Sequence, residues 1–362
     1  MPASSPSERP LPGPLPEPLP VEQAAGTPVL SVQGLHITVN GGRTEAVRDV
    51  SFSIRAGEAV GLVGESGSGK TLTCRSVLGA LPPGAQVSAG TATLTDRDGA
   101  GTDLTGLDRR GWERLRGVRL GAVFQDPASY LNPSLTVGRQ LAEPLRVRCG
   151  LSRADARRRA VELFTAVGLH RPEQVYHRYP HELSGGMLQR VLIAVAVAGN
   201  PELLVADEAT TALDTVVQAE VLDLLGRLRS ERGLALLLVS HDLAVVAEVC
   251  DRIVVLYAGE VVEEGPTEDV LAAPAHPYTE ALLRVASIGD WSRRELAVIP
   301  GRPPEAGSTP PGCRFADRCA HVRPECGDGV VPLRAAGERR RSRCVRVDDL
   351  RLSGTALQEV SA

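Results

Sequence analysis

The sequence predicts an α/β fold organised around a parallel sheet, and three observations carry that prediction. Short β-rich runs alternate with amphipathic helical ones from Val29 to about Pro274. Three of these runs, Ala59–Val63, Leu203–Asp207 and Leu236–Ser240, are apolar strands that end at glycine or polar residues. The first runs into a glycine-rich loop and then a helix from about Thr71, and open parallel sheets bind ligands at such carboxyl ends.

In chain order, residues 1–28 hold nine prolines and few large apolar side chains. Such a stretch buries too little surface to offset its ordering entropy, so a disordered or polyproline-like tail is expected. The strand–loop–helix unit at 59–71 opens the α/β part. The arginine-rich stretch Arg153–Arg159 reads as a solvated helix face, and a further helix follows Leu183-Ser184-Gly185-Gly186-Met187 to about Ala198. Ile253–Ala258 and Glu260–Glu264 read as a hairpin turning at Gly259. After His276 the texture changes: Pro300–Pro311 reads as a linker, and four cysteines follow in a polar, arginine-rich segment. The expected units are therefore a tail (1–28), an α/β domain (29–274) and a C-terminal extension (275–362).

Composition narrows the function. The 40 basic and 44 acidic residues leave a net charge of −4, which lacks the basic footprint of a nucleic-acid binder. Aromatic content of 3% leaves no stacking platform for single strands. No apolar run approaches the ~18 residues of a membrane span, and the N-terminus has no secretory h-region. A cytosolic chain with at most a peripheral membrane role is expected. The one lysine, Lys70, sits in the glycine-rich loop, where a compact ammonium fits and a guanidinium fork would clash.

Gly64-Glu65-Ser66-Gly67-Ser68-Gly69-Lys70-Thr71 fits G-x4-G-K-[ST]. Its glycines let backbone N–H groups converge on a phosphate at a helix N-terminus. Lys70 would neutralise the β/γ-phosphates of ATP, and the Thr71 hydroxyl would ligate Mg²⁺. Two acids end the strand at 203–207: Asp207 suits the Mg²⁺ shell, and Glu208 suits the base that polarises an attacking water. Ser184, Gly185 and Gly186 at a helix start make a second phosphate-sized site, about 115 residues from the first.

The order phosphate loop, Gln125, Leu-Ser-Gly-Gly at 183–186, Asp207-Glu208 and His241 after a strand resembles the ATPase subunit of ATP-binding cassette (ABC) transporters. The likeness covers about 29–274. It implies a phosphate-loop NTPase fold: a RecA-like α/β core, a helical signature subdomain and an antiparallel β part. It further implies two ATPase domains packed head to tail, each ATP lying between one subunit's phosphate loop and the other's signature segment. Carried over by position, Gln125 would sense the metal and attacking water. Asp214, in Ala212-Leu213-Asp214, would cross the dimer, and His241 would contact the γ-phosphate.

Phe124-Gln125-Asp126-Pro127, Leu131-Asn132-Pro133, Met187, Gln189-Arg190 and His276-Pro277-Tyr278-Thr279 resemble the dipeptide/oligopeptide/nickel importer ATPases. That likeness implies a peripheral subunit on the cytoplasmic side of the cell membrane that powers uptake of peptides or a similar small solute, nickel being the alternative. Implied partners are a second ATPase subunit (a paralogue or another copy), two transmembrane permeases and an extracytoplasmic solute-binding protein, with no nucleic acid. Two other classes share the motifs: a soluble cassette ATPase acting on nucleic acid or ribosomes, and a non-hydrolysing nucleotide or redox sensor. Val39 stands where many relatives stack an aromatic on adenine, and Ala209 stands where proline is usual.

Of seven cysteines, Cys74, Cys149 and Cys250 read as free buried thiols. Cys313, Cys319, Cys326 and Cys344 have the spacing C-x5-C-x6-C-x17-C, and four thiolates in a core-poor segment suit a metal. Such tetrads bind zinc or an iron–sulfur cluster; resemblance to the subfamily's tail favours [4Fe–4S], with zinc and unligated thiols as the alternatives. Lying outside the nucleotide motifs, these cysteines are expected to act in structure or docking.

Overall fold

The computed structural model describes residues 27–209, 215–286, 298–308 and 310–354. Most of the Pro-rich tail expected at 1–28 lies outside the described residues. Twelve strands are described: β1 (Leu30–Val39), β2 (Thr44–Ile54), β3 (Ala59–Val63), β4 (Gln86–Thr95), β5 (Gly101–Asp103), β6 (Leu120–Phe124), β7 (Leu203–Asp207), β8 (Ala235–Ser240), β9 (Arg252–Tyr257), β10 (Glu260–Pro266), β11 (Arg334–Ala335) and β12 (Arg341–Ser342). They form an antiparallel sheet in the order β2-β1-β4-β5 and a larger one in the order β11-β12-β10-β9-β3-β8-β7-β6. In the larger sheet β6, β7, β8, β3 and β9 run parallel, and β9–β10 is the expected hairpin.

The parallel strands are buried on both faces, and their side chains alternate between two cores. Val60, Leu62, Val205, Leu237 and Val254 join the core shared with the antiparallel sheet. Ala59, Val63, Leu204, Leu236, Leu238 and Val255 join the core that packs against helices. Gly61, mid-strand in β3, has no side chain because helix Leu243–Val249 lies against it. A Cβ there would sit 2.3 Å from Val246 Cγ1 and 3.3 Å from Cys250 Sγ.

A helical layer flanks β6. Helices Val137–Cys149, Arg153–Ala166 and Gly185–Val197 pack on one another and bury Leu141, Leu163, Phe164 and Val191. Ser152 caps the second, its hydroxyl accepting from the Asp155 N–H, and Arg153, Arg157 and Arg158 lie on its exposed face. The α/β core, helical layer and antiparallel sheet implied by the resemblance are thus all present. Cys74 and Cys250 are buried and free, but Cys149 is exposed, because it falls on the solvent side of its helix's last turn.

The chain beyond residue 275 shares this architecture. β12 pairs with β10 through Glu263↔Ser342 and Glu264↔Arg341. Tyr278, Leu283 and Phe315 enter the helix-side core. Arg343, almost fully buried, donates to the Val261 and Val331 carbonyls and reaches Asp49 on β2. A short cysteine-rich segment has little apolar surface of its own, so it is covered by borrowing a neighbour's core.

Close approach of helix and sheet at Gly61 sets a stability test. Gly61→Ala should destabilise the fold by about 1–3 kcal/mol through overpacking, and adding Val246→Ala should recover part of that loss. Urea unfolding of the single and double variants measures both; an unchanged midpoint for Gly61→Ala would refute the packing argument.

Candidate nucleotide site

The site begins where β3 ends. Gly64 has φ +149°, and a Cβ there would fall 2.2 Å from the Leu256 carbonyl oxygen, so no side chain can stand at that position. Gly69, at φ +102°, turns the loop into helix Lys70–Val77 from the N-cap position. The loop thereby folds back over the helix start, with the Ser68 N–H donated to the Glu65 carbonyl at 3.2 Å, and the first N–H groups of a helix have no intrahelical partner.

Lys70 lies inside this loop, 5% exposed, its ammonium donating to the Gly64 carbonyl at 2.7 Å and the Glu65 carbonyl at 2.9 Å. Burial pulls its pKa below the usual lysine range, while Glu208, Asp207 and Glu65 pull it back up. Thr71 follows it, half-buried, on the same helix. Asp207 ends β7, and burial pushes its carboxyl above the usual range; Arg75 and Lys70 hold it down, and Glu208 pushes it up. Its Oδ1 is buried without a hydrogen-bond partner among the described residues, as is Ser68 Oγ. A buried, unpartnered carboxylate oxygen beside a phosphate cradle has the hard-donor chemistry that Mg²⁺ takes.

Glu208 adopts φ +50°, a left-handed value uncommon outside glycine and asparagine, with its N–H donated to the Val239 carbonyl at 3.0 Å. His241 lies just past β8, its Nδ1 3.5 Å from Glu208 Oε1. It is aimed by a turn in which Ser240 Oγ accepts from the Asp242 N–H, and Asp242 in turn caps helix Leu243–Val249. Because β3, β8 and β7 are neighbours, the loop, His241 and the Asp207-Glu208 pair meet at adjacent strand ends.

Gln125 follows β6, next in the sheet, and is exposed beside a stacked Phe124–Tyr130 pair. Ser184 is placed differently. It caps helix Gly185–Val197, accepting from the Met187 N–H at 3.4 Å, in the helical layer flanking β6. Ser184 and Gly185 are exposed, and a Cβ at Gly186 would meet Val217 Cγ1 at 2.6 Å. The two anion sites of one chain are therefore presented on separate elements. Asp214, with Ala212 and Leu213, lies outside the described residues.

Two residues reach this site from the C-terminal extension: Arg318, which carries no motif, and Tyr278, whose motif His276-Pro277-Tyr278-Thr279 gave it no role here. The Glu65 N–H donates to Tyr278 Oη at 2.7 Å, and its carboxylate accepts from both terminal nitrogens of Arg318 at 2.7 and 3.0 Å. Sequence separations of 213 and 253 residues leave no local signal for either contact.

The four C-terminal cysteines line one small cavity with His276, Phe315 and His321. The Cys313 N–H donates to the Cys326 carbonyl at 2.7 Å, which draws two of them together. Burial pushes the Cys313 thiol up to about 12 and the Cys344 thiol up to about 11, and the neighbouring cysteines push in the same direction. Soft thiol donors with Arg346 beside them suit an anionic iron–sulfur cluster by chemistry. Among the described residues, however, no three His, Cys, Asp or Glu side chains are arranged to hold a metal ion.

Comparison with known proteins agrees with this arrangement. The ABC transporter family model matches residues 47–211, and the model for the oligopeptide/dipeptide transporter C-terminal region matches 262–326. The oligopeptide transport ATP-binding protein AppD of Bacillus subtilis is 43% identical over 300 residues, covering 83% of this chain and 90% of AppD. The dipeptide transport ATP-binding protein DppD of the same organism is 42% identical, covering 84% of this chain and 90% of DppD. A dimeric ATP-binding cassette solved after hydrolysis, with ADP and Pi bound, superposes with a TM-score of 0.57 at 30% identity, over 66% of this chain and 98% of that one. The chain belongs to the ABC transporter family, among the ATP-binding proteins that carry the oligopeptide/dipeptide transporter C-terminal region.

Proposed function

We propose that this chain is the ATP-hydrolysing subunit that powers an ABC importer of peptides. The observation that carries the reading is the meeting of a lysine-filled phosphate loop with the Asp207-Glu208 pair and His241 at adjacent strand ends. ATP would bind with its phosphates on the loop's N–H groups, and Lys70 would exchange its carbonyl partners for phosphate oxygens. Mg²⁺ arrives with ATP as substrate, and Thr71, Asp207 and Gln125 are the groups to meet it. Glu208 would polarise the water that attacks the γ-phosphorus in line, giving ADP and phosphate. His241, 3.5 Å from Glu208, would face the same phosphate.

The exposed Ser184 and Gly185 support a two-body site, because they lie on a helix flanking β6 and not on the loop after β3. Asp214 would cross that interface. The second body is a paralogue or another copy of this chain. Among the described residues no helix is long and apolar enough to cross a membrane. The solute path is assigned to two permease subunits, fed by an extracytoplasmic solute-binding protein, with this chain at the cytoplasmic face. Peptide as solute rests on the relatives named for peptide transport and on the shared C-terminal region.

Cys313, Cys319, Cys326 and Cys344, which line one cavity but are not drawn together as a metal-holding group, would have to close in to hold a [4Fe–4S] cluster; their shared cavity and soft donor chemistry support that reading. Bound there, the cluster would supply thiolate–iron bonds that staple a core-poor segment.

Replacing the base while keeping the cradle separates binding from chemistry. Glu208→Gln should keep ATP binding, lose at least roughly a hundredfold in turnover and accumulate as an ATP-bound dimer on gel filtration. Near wild-type phosphate release would remove Glu208 from its role. Lys70→Arg should lose ATP binding by at least about tenfold, since a guanidinium cannot enter a pocket shaped for a buried ammonium; a titration showing undiminished affinity would refute the loop assignment. Anaerobically purified protein should carry roughly four iron per chain and a brown chromophore bleached by dioxygen. One zinc per chain, or no metal, would overturn the cluster.

A further inference from the structure

Every polar group of Glu65 is engaged, and each by a different part of the chain. Its carbonyl accepts from Lys70, its N–H donates to Tyr278 Oη, and its carboxylate takes both arms of Arg318. Arg318, whose side chain is 3% exposed, uses all five of its N–H donors. Besides the two bonds to Glu65, they reach the Pro300 carbonyl at 2.8 Å, the Ile299 carbonyl at 3.1 Å and Tyr257 Oη at 3.2 Å. A fork with no donor left over has one orientation, and it holds Glu65 in one position.

Behind this fork stands an aromatic wall. Tyr257, Tyr278 and Phe315 pack with ring centroids 4.5, 5.2 and 5.4 Å apart, and the Arg318 guanidinium lies 5.7 Å from the Tyr257 centroid and 5.8 Å from that of Phe315. Phe315 also lines the cysteine cavity, and Arg318 immediately precedes Cys319. The cysteine-bearing segment and the phosphate loop are thus two sides of one packed unit.

We propose that Arg318 and Tyr278 are positioning residues for the phosphate loop, through which the C-terminal extension preorganises the cradle for ATP. The loop's glycines make it costly to order, and the clamp on Glu65 removes part of that cost before nucleotide arrives. Neither residue touches the reacting atoms, so the effect falls on affinity and not on the chemical step. The proposal rests on the nucleotide-site reading above.

Equilibrium titration with a fluorescent ATP analogue, paired with steady-state phosphate release, tests it on the full chain. Arg318→Ala and Glu65→Gln should each raise Kd and KM roughly tenfold, the loss expected from one charge-assisted bond, and Arg318→Ala should change kcat at saturation less than about twofold. Their double variant should bind no more weakly than either single one, since both break the same contact. Arg318→Lys should fail to restore affinity, because a point charge cannot make the fork. Tyr278→Phe keeps the packed ring and removes only the hydroxyl, so it decides the question even if Arg318→Ala does not fold; a rise in Kd of roughly threefold or more is expected. Wild-type Kd in Tyr278→Phe and Glu65→Gln, or additive losses in the double variant, would overturn the proposal. Failure of the unmutated chain to bind the analogue would instead overturn the nucleotide-site reading itself.

Discussion

Burying an ammonium away from water costs several kcal/mol unless its donors are met and its charge is balanced. Lys70 meets both conditions, and much of the site's shape follows from how it does so. Two of its donors are taken by the carbonyls of Gly64 and Glu65, and Gly64 must be glycine because a Cβ there would fall 2.2 Å from the Leu256 carbonyl oxygen. Its charge is balanced by Asp207, Glu208 and Glu65, and the first two are brought there from a strand some 140 residues away. Burial acts in opposite senses on the partners, pulling Lys70 down and pushing Asp207 up. A phosphate facing Lys70 and a divalent cation facing Asp207 would each favour the charged form that burial disfavours.

The sheet turns that local requirement into a geometry. Side chains of β3, β7 and β8 alternate between two cores, so the strands are held from both faces and their ends stay level. Glu208 stores a left-handed backbone at the point where β7 gives way to the next segment, which a loosely packed strand end would not sustain. The helical layer carries Ser184 off this edge and leaves it exposed. On the proposed reading one chain offers a phosphate loop at the strand ends and an exposed serine-glycine segment elsewhere, an arrangement suited to two such bodies meeting.

The extension extends the same logic to the opposite side of the loop. It has too little apolar surface to stand alone, so it lends a strand to β10 and rings to the helix-side core. In return it brings a fully bonded guanidinium and a tyrosine hydroxyl to Glu65. Four soft thiols share a cavity with Phe315 of that aromatic wall, and burial pushes those of Cys313, Cys319 and Cys344 up.

The amino-acid order by itself determined whatever depends on short-range pattern. Strand β3 and its loop, the acids ending β7 and the turn at Gly259 are set by apolar runs, glycine placement and fixed spacing. Their bounds in the fold match the sequence reading to within one or two residues, as with Leu236–Ser240 against Ala235–Ser240. Tertiary structure alone decided what depends on packing between distant segments. The order β9-β3-β8-β7-β6 places the motif ends side by side, and it follows from how twisted strands bury two faces at once, not from any local run. Exposure of Cys149 was settled by which turn of its helix faces solvent. Arg318 and Tyr278 reached Glu65 across 253 and 213 residues, because a core-poor segment covers itself wherever a neighbouring core lies open, and the chain's local pattern does not record where that is.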